Sequence, residues 1–528
     1  MRTVPGPTGH VVVVGAGLSG LSAALYLLGA GRHVTVLERD AGPGGRAGRI
    51  RLPGGYLVDT GPTVLTMPEY LDEALAAVGE SLADRVELLP LHPAYRARFA
   101  DGSHCSVHTE PEAMAAEVRR LAGPAEEAGY RRLRRWLTEL YRVQRHAFID
   151  AAYDSPLDLL TGDLARLAAL GGLAGWDRQV RRFLRDERLR RLFTFQALYA
   201  GVAPRRARAA YAVIAYMDTV AGVFFPRGGM HAVPRALAAA AQRAGATLRY
   251  RTRVTAVERS PGGRAAAVHT ADGVRVPCDA LVLTCELAQS LRLLGRAPRR
   301  LPPLRYAPSA VVLHAATRRS FGLDHHTLFF GRSWERAFRQ LTRDGELPDD
   351  PSLLVTCPTV SDPTLAPPGG HLHYVLAPCP NLRLAPHDWT TCGPRFRDRL
   401  VAALERRGLV GLDAAVVAER LVTPADWAAA GHPHGTPFSV AHTLTQTGPF
   451  RPRNLVDGWE NVVLAGCGTT PGVGVPPVVL SGKLAAARVT GAVRRRPATR
   501  RPSPVHHRRA TGHPAPAGEG GPTEGAQW

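Results

Sequence analysis

His10-Val11-Val12-Val13-Val14, followed without a break by Gly15-Ala16-Gly17-Leu18-Ser19-Gly20, decides the fold. The valine run reads as a strand buried on both faces, because β-branched residues favour extended chain and none of the four is polar. The glycines then turn the chain into an apolar helix. Gly15 permits the tight turn, Gly17 lets an anion approach the backbone, and Gly20 lets the helix pack closely on the sheet. A second strand, Val34 to Leu37, ends at Glu38, eighteen residues past Gly20. Strand, glycines, helix, strand and acid in this order predict a dinucleotide site. The pyrophosphate sits over the free N–H groups of the helix N-terminus, and the Glu38 carboxylate accepts hydrogen bonds from ribose hydroxyls.

The next residues narrow the choice of dinucleotide. Arg39-Asp40-Ala41-Gly42-Pro43-Gly44-Gly45-Arg46 places two glycines and a fixed cation just past the acidic strand end, a second phosphate cradle. Arg39 is also compatible with a 2′-phosphate and NADP, although Glu38 would repel that group. A short strand, 55–58, leads to Asp59-Thr60-Gly61-Pro62-Thr63. This succession resembles the FAD-binding amino terminus of the amine-oxidase and carotenoid-desaturase superfamily. The resemblance implies FAD, held by Gly15, Gly17, Ser19, Gly20, Glu38, Arg39, Gly44, Gly45, Arg46, Thr60, Gly61, Pro62 and Thr63. Asp59 reads as a fold residue.

The chain has 528 residues, enough for two or more domains with ample core. No run of eighteen apolar residues predicts a membrane span, and residues 1–9 do not resemble a secretion signal. A cytoplasmic protein, peripherally associated with the membrane, is expected. Seven scattered cysteines without a CxxC read as reduced thiols. His371-x-His373 has a ligand-like spacing but no third ligand nearby, so no metal is expected. The formal charge is +21, yet Lys483 is the only lysine. Residues 494–528 carry seven arginines among Pro, Ala, Gly and Thr and lack a core-forming pattern; they read as a disordered basic tail. No nucleic-acid recognition module accompanies this charge, so an anionic membrane surface is the expected partner rather than nucleic acid.

Further along, 96–100 and 104–108 read as a hairpin around Asp101-Gly102. Thr109 and Glu112 have the spacing of a capping box, and a long helical stretch is predicted up to about Tyr216. Pro226-Arg227-Gly228-Gly229-Met230 precedes a helix over 232–244, and strands return at 247–258, 265–270 and 280–283. Residues 301–450 alternate strands and helices. Near the end, Asn461 to Leu464 reads as a strand, Gly466 to Pro477 as a glycine-rich turn and Val478 to Val489 as a helix. That turn forms another N-terminus favourable to negative charge.

The start and end motifs, the segment 195–236 and Ser439-Val440-Ala441-His442-Thr443-Leu444-Thr445-Gln446 together resemble the bacterial phytoene desaturase family. The resemblance spans most of 10–493. It implies an α/β fold in which a discontinuous Rossmann-type FAD-binding domain carries an inserted α+β substrate domain. The expected division is 1–105, 226–300 and 451–493 for the FAD domain, 106–225 for a helical substrate- and membrane-facing region, and 301–450 for the substrate sheet. The resemblance places Val254 against the adenine, and Gly466, Gly474 and Val475 by the flavin. Cys467 and Thr470 depart from the family pattern, which usually has alanine and histidine there; Cys467 is expected to be an inert small residue.

The implied reaction removes a hydride and a proton from a long carotenoid to create double bonds. No side chain accepts a hydride, whereas an oxidised flavin does. Oxygen or a quinone is the expected final acceptor, and no general base is assigned. A related amine oxidase, carotenoid isomerase or ketolase, or a non-enzymatic isoprenoid carrier, are the alternatives. Two segments rich in arginine and apolar residues, 131–148 and 181–199, are predicted as amphipathic helices for membrane docking, or as helices buried on one face and solvated on the other.

Overall fold

The computed structural model describes residues 1–296 and 303–491. The basic tail read at 494–528 lies outside the described residues. Five parallel strands form the first sheet, in the order Val462–Leu464, Ala280–Leu283, His10–Val14, His33–Leu37 and Thr247–Arg249. The valine run is central, and both its faces are covered. Val11 and Val13 face a layer of helices, whereas Val12 and Val14 join a cluster with Val254, Val268 and Val276 of an antiparallel three-stranded sheet. This is why the strand carries no alternating pattern.

The helix Leu18–Gly29 lies against the helix Val475–Thr490. A Cβ at Gly482 would overlap the Ser19 carbonyl oxygen, so the two backbones touch where Gly482 stands. Ser22 Oγ donates to Val479 O at 2.7 Å across the same contact. The first and last motifs of the sequence thus meet on one side of the sheet. The final helix starts three residues earlier than predicted. Pro476 and Pro477 occupy its first turn, where a missing N–H costs nothing.

The second sheet has seven strands in the order Val416–Val422, Ser309–Thr317, His371–Cys379, Leu353–Thr356, His326–Phe329, Tyr95–Arg98 and His104–Val107. The predicted hairpin forms, but it belongs to this sheet: Tyr95–Arg98 runs parallel to His326–Phe329. The boundary expected at 105 therefore falls inside a strand of the second sheet. The helix Trp389–Arg406 covers one face, burying Phe396, Leu400 and Leu404 against Val311, Leu313, Val355 and Val375. On the other face Leu328, Leu354 and Leu376 stand side by side in register on three neighbouring strands.

Two predictions for the helical region are corrected. Glu110, not Thr109, caps the helix Pro111–Ala122; its carboxylate accepts from Glu112 N and Ala113 N, with Pro111 in the first turn. Of the two segments read either as membrane-docking helices or as helices buried on one face, 131–148 is helical and takes the second form, burying Leu133, Trp136, Leu137, Leu140 and Tyr141 in the protein's own core. The stretch 181–199 is no continuous helix: a six-residue helix Glu187–Leu192 and a short 3-10 turn Phe195–Leu198 interrupt it, and Leu184, Leu189, Leu192 and Phe193 are buried. Neither segment leaves an apolar face for lipid.

Candidate cofactor and substrate site

Glycine turns at the carboxyl ends of the parallel strands build the site, where ligands of open α/β sheets bind. Gly15 adopts φ +106°, and its N–H donates to Leu37 O at 2.8 Å; an added Cβ would stand 2.5 Å from Thr284 Oγ1. At Gly20 a Cβ would overlap Gly15 O. These two glycines are required by the protein itself. Gly17 is different: its backbone is ordinary extended chain, and a Cβ there would meet no protein atom nearer than 4.0 Å. The open space over Gly17 is where a dinucleotide needs room. The helix it begins has no side-chain cap, so its first N–H groups remain available to an anion.

Glu38 is buried, and its carboxylate accepts from Ala16 N at 2.7 Å and Asp40 N at 2.9 Å. Gly44 N donates to Ala16 O at 2.9 Å, which lays the Gly44-Gly45 turn beside Gly17. Both glycines have positive φ, +132° and +55°. Thr60 N donates to Gly48 O at 3.0 Å, and a Cβ at Gly61 would overlap Arg46 O; Pro62 and Thr63 continue this segment, half-buried. Thr252 N donates to Glu38 O at 2.7 Å, which sets the buried Val254 beside Leu37. The N–H of Gly466 (φ +110°) donates to Ser481 Oγ at 3.0 Å, and its Cα side faces Ser19 Oγ. Gly474, at φ +116°, caps the helix that opens with Val475. Arg39 is not gathered into the cradle: its guanidinium is exposed and donates to Ala430 O at 3.0 Å. Asp59 accepts from Met230 N at 2.6 Å, His231 N at 3.2 Å and Arg49 at 3.2 Å, tying the 59–63 segment to the Pro226–Met230 turn.

The electrostatic centre of the site was missed in the sequence. Arg46 Nη2, on a partly exposed side chain, pairs with buried Glu286, which also accepts from Ser439 Oγ at 3.2 Å. His432 Nδ1 lies 3.2 Å from the same guanidinium nitrogen. Burial works against ionised Glu286, but Arg46, with help from Ser439, outweighs it and holds the carboxyl below the usual carboxylate range. His432 is pushed down to about 4 by burial and then by Arg46, so its ring is neutral at pH 7. Cys467 Sγ stands 3.7 Å from Arg46 Nη1; burial pushes its thiol up in spite of that cation, leaving no thiolate for reaction. Arg451, fully buried, donates to Thr469 O at 2.8 Å, Val440 O at 3.2 Å and Cys467 O, and so clamps the glycine turn. The position of Glu286, just past the end of strand Ala280–Leu283 beside the central strand, was the available signal. For Arg451 there was none.

A narrow cleft with about 90 Å³ of free volume opens on the leucine row of the second sheet. Leu328, Leu354 and Leu376 form one wall, and Phe195, Tyr199, Phe330, Trp334 and Phe338 another. Phe438 is part of its lining, and the neighbouring Ser439 reaches Glu286, so the cleft and the Arg46 cluster adjoin along residues 438–439. No acidic or basic side chain lines it.

Residues 18–490 match the family of flavin-containing amine oxidoreductases. A phytoene dehydrogenase of Streptomyces griseus is 64% identical over 494 residues, covering 93% of this chain and 97% of that protein. The chain belongs to the phytoene desaturase family. Within it, a zeta-carotene-forming phytoene desaturase of Myxococcus xanthus is 34% identical, covering 91% of this chain and 93% of the relative. Among solved structures, an oxidoreductase from Methanosarcina mazei aligns with a TM-score of 0.60 at 16% identity, over 90% of this chain and 99% of that one. The latter supports the fold. This family member is therefore an FAD-dependent oxidoreductase, and its cradle fits that cofactor: open space over Gly17, an uncapped helix N-terminus, and an Arg46 Nε buried without a partner.

Among the described residues, no group of three or more His, Cys, Asp and Glu side chains could hold a metal ion. His373 instead meets Thr317 Oγ1 at 3.1 Å and Cys357 Sγ at 3.2 Å. No helix among them is long and apolar enough to cross a membrane.

Proposed function

We propose that this enzyme desaturates phytoene or a partly desaturated carotene drawn from a membrane. The observation that carries the reading is the uncharged cleft that adjoins, along Phe438 and Ser439, the Arg46–Glu286 cluster. FAD, when bound, supplies the two-electron acceptor that oxidation of a carbon–carbon single bond requires. The chain's own residues do the rest. Gly17, Glu38, Gly44, Gly45, Arg46, Thr60, Gly61, Pro62, Thr63, Val254, Gly466, Gly474 and Val475 hold the cofactor, with Ser19 beside the last turn.

The leucine row and the aromatic wall align an apolar chain and exclude water. A long hydrocarbon loses about 0.8 kcal/mol for each CH₂ exposed to water, so such a lining competes with lipid. The only titratable group on that lining, the Tyr199 phenol, is held far above its ordinary range by burial, and no base is assigned to the proton. An amine substrate would leave its cation unpaired in this cleft, which disfavours an amine oxidase.

The test is expression with a supply of phytoene or of a partly desaturated carotene. The expected product has lost two hydrogens per step and absorbs at longer wavelength. Flavin-loaded protein that returns both phytoene and a partly desaturated carotene unchanged, or releases hydrogen peroxide with amines, would refute the reading. Oxygen or a quinone takes the electrons; turnover without oxygen, with and without added quinone, separates the two.

A further inference from the structure

A second, larger cavity adjoins the apolar cleft and has the opposite character. Its free volume is about 820 Å³. Arg181, Arg190, Arg191, Arg205 and Arg206 line one side; Arg336, Arg339 and Arg343 line the other. Against these eight cations stand three acids, Asp177, Glu187 and Glu335. The acids serve Arg181, Arg191 and Arg205. Arg190, Arg206, Arg339 and Arg343 have no carboxylate partner among the described residues, and Arg190 Nε is buried without a hydrogen bond.

Trp334 and Phe338 belong to both cavities. From them an aromatic series runs inward: Phe338 to Trp334 at 4.8 Å between centroids, Trp334 to Phe330 at 5.6 Å, and Phe330 to Phe195 at 6.2 Å. The arginine funnel and the apolar cleft thus share an aromatic wall.

We infer that this funnel is the mouth by which the enzyme docks on an anionic phospholipid surface and admits its substrate. The partner must offer phosphates to unpaired guanidinium groups and hydrocarbon to the aromatic throat behind them. A bilayer does both in one layer, with its headgroups outside and its chains beneath, and indole rings favour that boundary. A soluble polyanion would satisfy the arginines alone. The docking surface lies here rather than on the segment 131–148, whose apolar face is buried. The admission step rests on the reading of the cleft as the polyene site; the docking step does not.

The test uses the flavin-loaded full chain and vesicles of phosphatidylcholine alone or mixed with phosphatidylglycerol. The variants are R206Q/R339Q/R343Q and the same triple with R190Q. Each is also made in a full-length background whose seven arginines after residue 493 are glutamine, so that binding through those residues is subtracted. Flavin absorbance and melting temperature check the fold. The expected result is binding to the anionic vesicles at least about tenfold tighter than to neutral ones, weakened by salt and largely lost in the triple variant. Phytoene delivered in those vesicles should turn over more slowly in the variant, while phytoene in detergent micelles turns over as before. Variants that keep their anionic-vesicle affinity in the tail-neutralised background would overturn the proposal. So would a funnel that binds inorganic phosphate or RNA but ignores vesicles. Arginine-dependent vesicle binding with no turnover of phytoene or of a partly desaturated carotene in any form would uphold docking and refute the substrate reading.

Discussion

The two sheets solve opposite problems. The parallel sheet presents backbone to its ligand: Gly15 and Gly20 have no room for a methyl group, and Gly44, Gly45, Gly466 and Gly474 need positive φ. The seven-stranded sheet presents side chains, and the space before Leu328, Leu354 and Leu376 is set by what those residues happen to be. A backbone site has few alternatives, because an added atom collides with the protein at Gly15 and Gly20 and takes the ligand's room at Gly17. A side-chain site is adjustable, since neighbouring apolar residues of similar volume substitute at small cost. On the proposed reading, the molecule fixes its cofactor rigidly and leaves its substrate grip open to variation.

The largest effect should come from Gly20→Val, which drives a branched side chain into Gly15 O; the protein is expected to purify colourless, read by flavin absorbance. Next is Arg46→Met. It leaves Glu286 buried and unpaired, a loss on the order of 3–5 kcal/mol, which should appear as a lower melting temperature and weaker flavin retention. Replacing both partners, Arg46→Met with Glu286→Leu, should recover much of the melting temperature but not the flavin. That double variant separates fold from cofactor. Phe438→Ala or Leu354→Ala should keep full flavin content while changing turnover and product distribution a few-fold, the contrast in its sharpest form. Loss of flavin in the cleft variants would erase the distinction between the two sheets.

The smallest effect is one of pH. Asp218 is buried, and its carboxyl is pushed up to about 7 by that burial, against the pull of Gln196 and Tyr95. The fold thus keeps a proton that the unfolded chain releases near pH 4. The stability this confers is present in full below about pH 4 and is lost as pH rises towards about 7. Asp218→Asn should melt higher than the parent above pH 7, with the gap closing towards pH 4. A gap that widens on acidification would contradict the assignment.

The parallel sheet was legible because its physics is local. A valine run, glycines at fixed offsets and Glu38 each act within a few residues, and the structure assembles them as that order implies. What escaped depends on contacts between distant segments. Glu286 acquires meaning only beside Arg46, 240 residues away, and Arg451 only around the carbonyls of 440 and 467–469. The 131–148 helix has the pattern of a surface-binding helix, and sequence cannot tell whether its apolar stripe meets lipid or the rest of the chain. Thr109 failed as a cap because Pro111 makes Glu110 the residue that ends the extended chain.

The contact between Ser22 and Val479 spans 457 residues of sequence. During translation the valine strand leaves the ribosome early, while the edge strand Val462–Leu464 and the last helix follow only after the whole second sheet has emerged. The nascent chain must therefore carry a half-made cradle through most of its synthesis. Cofactor loading is then a late event, and a shortage of riboflavin would be felt by finished polypeptides rather than by stalled ones.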